Sequence, residues 1–125
     1  MKTFEQPYHT LIVWKESHRF VLDVYVATEK FPKHELFGAT SQLRRAAMSI
    51  ELNIVEGHGK RTKPDHLRFL DIAKGSLREC AAIIELSRDL GYLEQEAYER
   101  LEQQRRKTGY LLHQFATGTK ERTDY

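Results

Sequence analysis

Only three prolines and seven glycines interrupt 125 residues, and such sparse punctuation leaves room for long, unbroken helices. The interruptions gather at three places. In Phe31-Pro32-Lys33-His34-Glu35-Leu36-Phe37-Gly38, Pro32 disfavours helix at the residue before it. In Gly57-His58-Gly59-Lys60-Arg61-Thr62-Lys63-Pro64, the proline suits the first turn of a new helix. At Gly91-Tyr92 a glycine can take the left-handed conformation that closes a helix C-terminus. These breaks predict helices over about 9–30, 40–57, 64–90 and 94–116, with a flexible tail at 117–125. Short connections make neighbouring helices antiparallel, so the expected fold is an all-α, up-down four-helix bundle in one domain.

Placing residues at 100° per position gives the faces. On the first helix Leu11, Trp14, His18, Val21, Leu22 and Tyr25 form one stripe, read as the core face. Val13, Phe20, Val24 and Ala27 form another, almost opposite. The second helix repeats this, with Leu43, Ala46, Ala47, Ile50 and Ile54 against Met48, Leu52 and Val55. The third is apolar around most of its circumference, and the fourth has one stripe through Leu93, Ala97, Leu101, Leu111 and Phe115. A bundle helix needs one apolar stripe, and a contiguous apolar patch left in water is unusual for a monomer. The surplus predicts self-association through Val13, Phe20, Val24, Met48, Leu52 and Val55.

Ser49, Asn53 and Glu56 on the second helix share a face, as do Ser76 and Glu79 on the third, next to Gly75. They predict a structural polar network between these helices, with Gly75 permitting close approach. An enzymatic reading would use Glu56 and Glu79 as an acid–base or metal-binding pair. The di-iron bundle pattern requires Glu-x-x-His, however, and Gly59 and Ala82 stand where the histidines should be. The six histidines show no metal-ligand spacing, and Cys80 lies on an apolar face as a small hydrophobe. No phosphate-binding loop, dinucleotide fingerprint or nucleophile elbow occurs. The expectation is therefore no enzyme, no metal and no cofactor.

The single cysteine and the absence of an apolar run long enough for a membrane point to a cytoplasmic protein. The net charge is only +2, but it is polarised: residues 57–78 carry +4, residues 79–102 carry −5, and the last 23 carry +3. Basic clusters lie at Arg44-Arg45, at Lys60-Arg61-x-Lys63 with Arg68, and at Arg105-Arg106-Lys107. Surface bases neutralise phosphates and release counterions. The 60–68 cluster also adjoins a helix start, where free N–H groups favour anions.

The runs Phe31-Pro32-x-x-Glu35, Gln42-Leu43-Arg44-Arg45-Ala46-Ala47-x-Ser49-Ile50 and Asn53-Ile54-x-Glu56-Gly57 carry a resemblance. So do Phe69-Leu70-x-Ile72-Ala73-x-Gly75-Ser76-x-x-Glu79 and Leu90-Gly91-Tyr92-Leu93. The chain resembles bacterial four-helix-bundle proteins encoded in intervening sequences of 23S ribosomal RNA genes. It is similar also to their relatives, the accessory variability proteins of diversity-generating retroelements. The resemblance implies a ring-shaped homopentamer and, from the retroelement branch, a basic surface that binds nucleic acid and a partner protein. The combined expectation is a homo-oligomeric accessory protein that binds RNA or DNA through Arg44, Arg45, Lys60, Arg61, Lys63 and Arg68. The alternative is a scaffold whose basic patch meets an acidic partner protein.

Overall fold

The computed structural model describes residues 3–121. It contains α1 (Ile12–Thr28), α2 (Ala39–His58), α3 (Lys63–Asp89) and α4 (Gln95–Glu121), with 3-10 turns at Pro7–Thr10 and Lys33–Glu35 and no strand among the described residues. Each helix packs on the next and α4 returns to α1, which closes a four-helix bundle, with α2 on α3 as the most extensive contact. Two boundaries differ from expectation. Pro7 starts a 3-10 turn and Leu11 is extended (ψ 123°), so α1 begins at Ile12. The other is the end of α4, which continues past 116 to Glu121, because Thr119 is buried and its hydroxyl donates to the Phe115 carbonyl. The rest of the supposed tail, 122–125, lies outside the described residues.

The three breaks work through local chemistry. The Thr62 hydroxyl accepts the Asp65 N–H at 3.3 Å and caps α3, with Pro64 in its first turn. At the other end of α3, Gly91 has φ +82°. The Gly91 N–H then reaches the Arg88 carbonyl and the Tyr92 N–H reaches that of Ser87, the paired bonds of a Schellman C-cap. This turn delivers Tyr92 to the first break. Its hydroxyl donates to Glu35 at 2.7 Å, its ring lies 5.5 Å from that of Phe31, and Glu35 also accepts the Ala39 N–H that opens α2. The Tyr92 and Ala39 bonds hold the Glu35 carboxyl below its ordinary pKa. Two motifs nearly sixty residues apart therefore form one latch.

The facing of α1 is the largest correction. Val13, Phe20 and Val24, expected at an oligomer interface, are buried with Val21 in the core, and Phe20 is 0 % exposed. Leu22 and Tyr25 point outward instead, Leu22 at 54 % exposure. The inward stripe can also hold Ser17 and Thr28, because their hydroxyls donate to the Trp14 and Val24 carbonyls of their own helix. The outward stripe mixes Leu22 with side chains that have polar heads. His18, expected in the interior, is half-exposed and meets Glu51 at 2.8 Å, and the Tyr25 hydroxyl donates to Met48 Sδ at 3.2 Å. On α2 the core stripe Leu43, Ala46, Ala47, Ile50 and Ile54 is buried as expected.

The α2–α3 seam carries a smaller polar cluster than expected. Ser76 donates to Ser49 at 2.8 Å, and Asn53 donates to the Ser49 hydroxyl and carbonyl. Glu56 and Glu79 do not join it: both are exposed, and Glu56 pairs with Lys60 at 3.6 Å. Close approach falls at Gly57, not Gly75. A Cβ on Gly57 would stand 3.1 Å from Phe69 Cβ and 3.2 Å from the His66 carbonyl, whereas one on Gly75 meets nothing within 4 Å. Alanine in an exposed helix interior is favoured over glycine by about 0.5–1 kcal/mol, so Gly75→Ala is expected to stabilise the chain by that amount. Gly57→Ala is expected to cost about 1–3 kcal/mol, since α2 and α3 must part. Urea-denaturation midpoints of the two variants should move in opposite directions; a gain in both would contradict the seam described.

Candidate nucleic-acid interface

The antiparallel order brings the end of α2, the start of α3 and the end of α4 to one end of the bundle. His66 fixes that end. It is buried in the first turns of α3, with Nδ1 donating to the Gly57 carbonyl at 2.8 Å and Nε2 3.1 Å from the Thr119 hydroxyl. Its ring meets Phe115 edge-on. Lys63 donates to the carbonyl of Lys120 and so ties the start of α3 to the end of α4.

On this base the remaining cations surround one aromatic ring. The Arg68 guanidinium lies 4.6 Å and the Lys60 ammonium 5.0 Å from the centre of the half-buried Phe69 ring. A cation held over a ring face is attracted by the ring quadrupole, and its stem is ordered. Arg61 is exposed in the turn between them. Lys60 is also within 3.6 Å of Glu56, which offsets part of its charge.

Arg44 and Arg45 are not brought to this surface. They lie near the start of α2, a helix of 20 residues and therefore about 30 Å long. Arg44 is engaged on α1: Nε donates to the Thr28 hydroxyl at 2.8 Å, Nη2 to the Tyr25 carbonyl at 3.4 Å, and the guanidinium lies 4.5 Å from the Tyr25 ring centre. It serves the C-terminus of α1, and Arg45 alone of the two is exposed. The third cluster is largely neutralised. Arg105 makes a two-pronged contact with Glu102 at 2.6 and 3.0 Å, and Lys107 lies 3.3 Å from Glu16. Hydrogen bonding from Gln104, aided by Lys107, holds the Glu16 carboxyl below its ordinary pKa against the opposing effect of burial.

A second surface feature lies on the outer side of α1 and α2. Leu22, Tyr25, Met48 and Leu52 line an apolar groove of about 360 Å³ above Val21, with Glu51 at its edge. Val55, one turn further along α2, is half-buried. Met48, Leu52 and Val55 thus keep the outward position expected of them, while the α1 half of the surface comes from Leu22 and Tyr25. Sequence reading missed this because two stripes of equal hydrophobicity gave it no reason to prefer the one with polar heads. It gave no role to His66 either, since a buried histidine that bonds across helices has no spacing signature.

No group of three or more His, Cys, Asp or Glu among the described residues could hold a metal ion, and no helix there is long and apolar enough to cross a membrane. Cys80 is fully buried, and burial pushes its thiol up to about 12, so it is a packing residue and a poor nucleophile.

The model of the 23S rRNA-intervening sequence protein family matches residues 9–114. The chain belongs to that family. The match covers α1, α2 and α3 of this intervening-sequence protein and α4 as far as Gln114. A similar fold occurs in the crystal structure of a protein of unknown function from the S23 ribosomal protein family of Bacteroides thetaiotaomicron, with a TM-score of 0.76 at 23 % identity. The similarity covers 84 % of this chain and 98 % of that one. No curated protein matches.

Proposed function

We propose that this intervening-sequence protein is a non-enzymatic, homo-oligomeric accessory protein of the cytoplasm that binds the phosphate backbone of RNA or DNA. The α2–α3 end would make the contact, through Lys60, Arg61 and Arg68. The observation that carries the reading is the pair of cations held over Phe69 beside the exposed Arg61, on a base fixed by His66 and Lys63. Lys63 supports this surface from below, and Arg45 stands apart at the far end. A single site of this size is weak, and self-association through the outer α1–α2 groove multiplies it by avidity. The pentamer and the kinship with the retroelement accessory proteins fit the same scheme.

The test is fluorescence anisotropy with a labelled structured RNA and a labelled duplex DNA over a salt series. Binding is expected to weaken steeply with salt. Arg61→Glu with Arg68→Glu is expected to lower the log–log salt slope by about two, one per lost phosphate contact. No binding at low salt, or equal affinity for the double variant, would overturn the reading. Capture of an acidic protein by the same end, with no nucleic acid bound, would favour the scaffold alternative.

A further inference from the structure

A cleft of about 410 Å³ lies between the second half of α1 and the first half of α4, under the Gly91–Glu94 turn. That size falls within the range of about 300–1,000 Å³ common for small-molecule sites. It faces away from both the basic end and the α1–α2 groove, and neither needs it. Its walls are apolar at Val26, Ala97, Leu93 and Leu101, the last two of them buried.

Four charged side chains stand around these walls: Asp23 and Lys30 from the α1 side, Glu94 and Arg100 from the α4 side. Among the described residues none of the four side chains makes a hydrogen bond or an ion pair within 4 Å. Lys30 and Glu94 lie near the mouth under the turn. Asp23 and Arg100 lie about two helical turns below, near enough for Arg100 to act electrostatically on Asp23. The other half-buried carboxylates of the bundle are partnered, as Glu16 with Lys107, Glu51 with His18 and Glu102 with Arg105 show. Asp23 is half-buried and is left without such a partner. Burial raises its carboxyl above the ordinary range, opposed by Arg100 and Arg19.

An acid and a base that do not pair with each other, beside apolar walls, match a ligand with an ammonium and a carboxylate attached to one carbon and an apolar side chain. We propose that this cleft binds a free aliphatic α-amino acid, with Asp23 holding the ammonium, Arg100 the carboxylate, and Val26, Leu93 and Leu101 the side chain. A protein terminus presents only one of the two charges, so it satisfies only half of the site.

The test is a titration of the full chain, labelled with ¹⁵N, by L-leucine, glycine, N-acetyl-L-leucine and L-leucinamide. L-leucine is expected to give saturable shift changes at the amides around Asp23, Leu93 and Arg100. Removal of either charge from the ligand should weaken binding by about 10–100-fold, the loss of one charged hydrogen bond, and glycine should bind more weakly than leucine. Asp23→Asn should remove the preference for leucine over N-acetyl-leucine, and Arg100→Gln the preference over leucinamide. Should Asp23→Asn lose its helical circular dichroism, the exposed Arg100→Gln and the two ligand derivatives carry the test alone. Absence of saturable shifts with leucine, or equal binding of leucine and both derivatives, would overturn the proposal.

Discussion

Phe20→Ala is expected to destabilise the chain by about 3–5 kcal/mol, while Leu22→Ala costs under about 1 kcal/mol in dilute protein. Phe20 has no exposed surface and sits in one cluster with Val24, Leu43 and Leu112, so truncation removes buried area and leaves a cavity. Leu22 keeps about half its surface in water. The two residues are only two positions apart, yet they point to opposite sides of α1. In a domain of this size 1 kcal/mol moves Tm by roughly 4 °C, so the contrast is readable by calorimetry as well as by urea denaturation. The reverse order, with Leu22 the costlier, would restore the facing that the sequence suggested and contradict the core described above.

Leu22→Glu combined with Leu52→Glu is expected to convert the proposed assembly to monomers of 14.7 kDa that keep their helical circular dichroism. Both side chains line the outer α1–α2 groove and are more than half exposed, so neither supports the core. In an interface between copies each would be desolvated, and an unpaired carboxylate there costs several kcal/mol per copy. Phe37, 92 % exposed in the α1–α2 connection, offers the control. Phe37→Glu should leave the native mass unchanged. Light scattering after size exclusion reads all three species. A double variant with the mass of the parent would remove the groove as the contact.

The pattern of success in the sequence is physical. Breaks were legible because Pro32, Pro64 and Gly91 act on the backbone within a residue or two, and the structure ends or begins helices beside each of them. The α2 core stripe was legible because the second stripe, Met48, Leu52 and Val55, is interleaved with Arg44, Arg45 and Glu51. On α1 both faces were apolar, and hydropathy could not see that Ser17 and Thr28 satisfy themselves within the helix. Whether Gly57 or Gly75 is the contact point depends on which glycine faces Phe69, a matter of helix register that periodicity does not fix. The basic clusters were legible as charges, but not as a surface. Only the fold shows Arg44 held on α1, Arg105 held by Glu102, and Lys60 and Arg68 converging on one ring.

In the proposed function, self-association on the outer face of α1 and α2 would turn a small cationic end into a repeated one, and the native mass of the unmodified chain tests it most directly. At low and at high salt the mass should be the same multiple of 14.7 kDa, five-fold for a pentamer, because an apolar contact is not screened as surface charges are. A mass of 14.7 kDa at micromolar protein in both salts would contradict it.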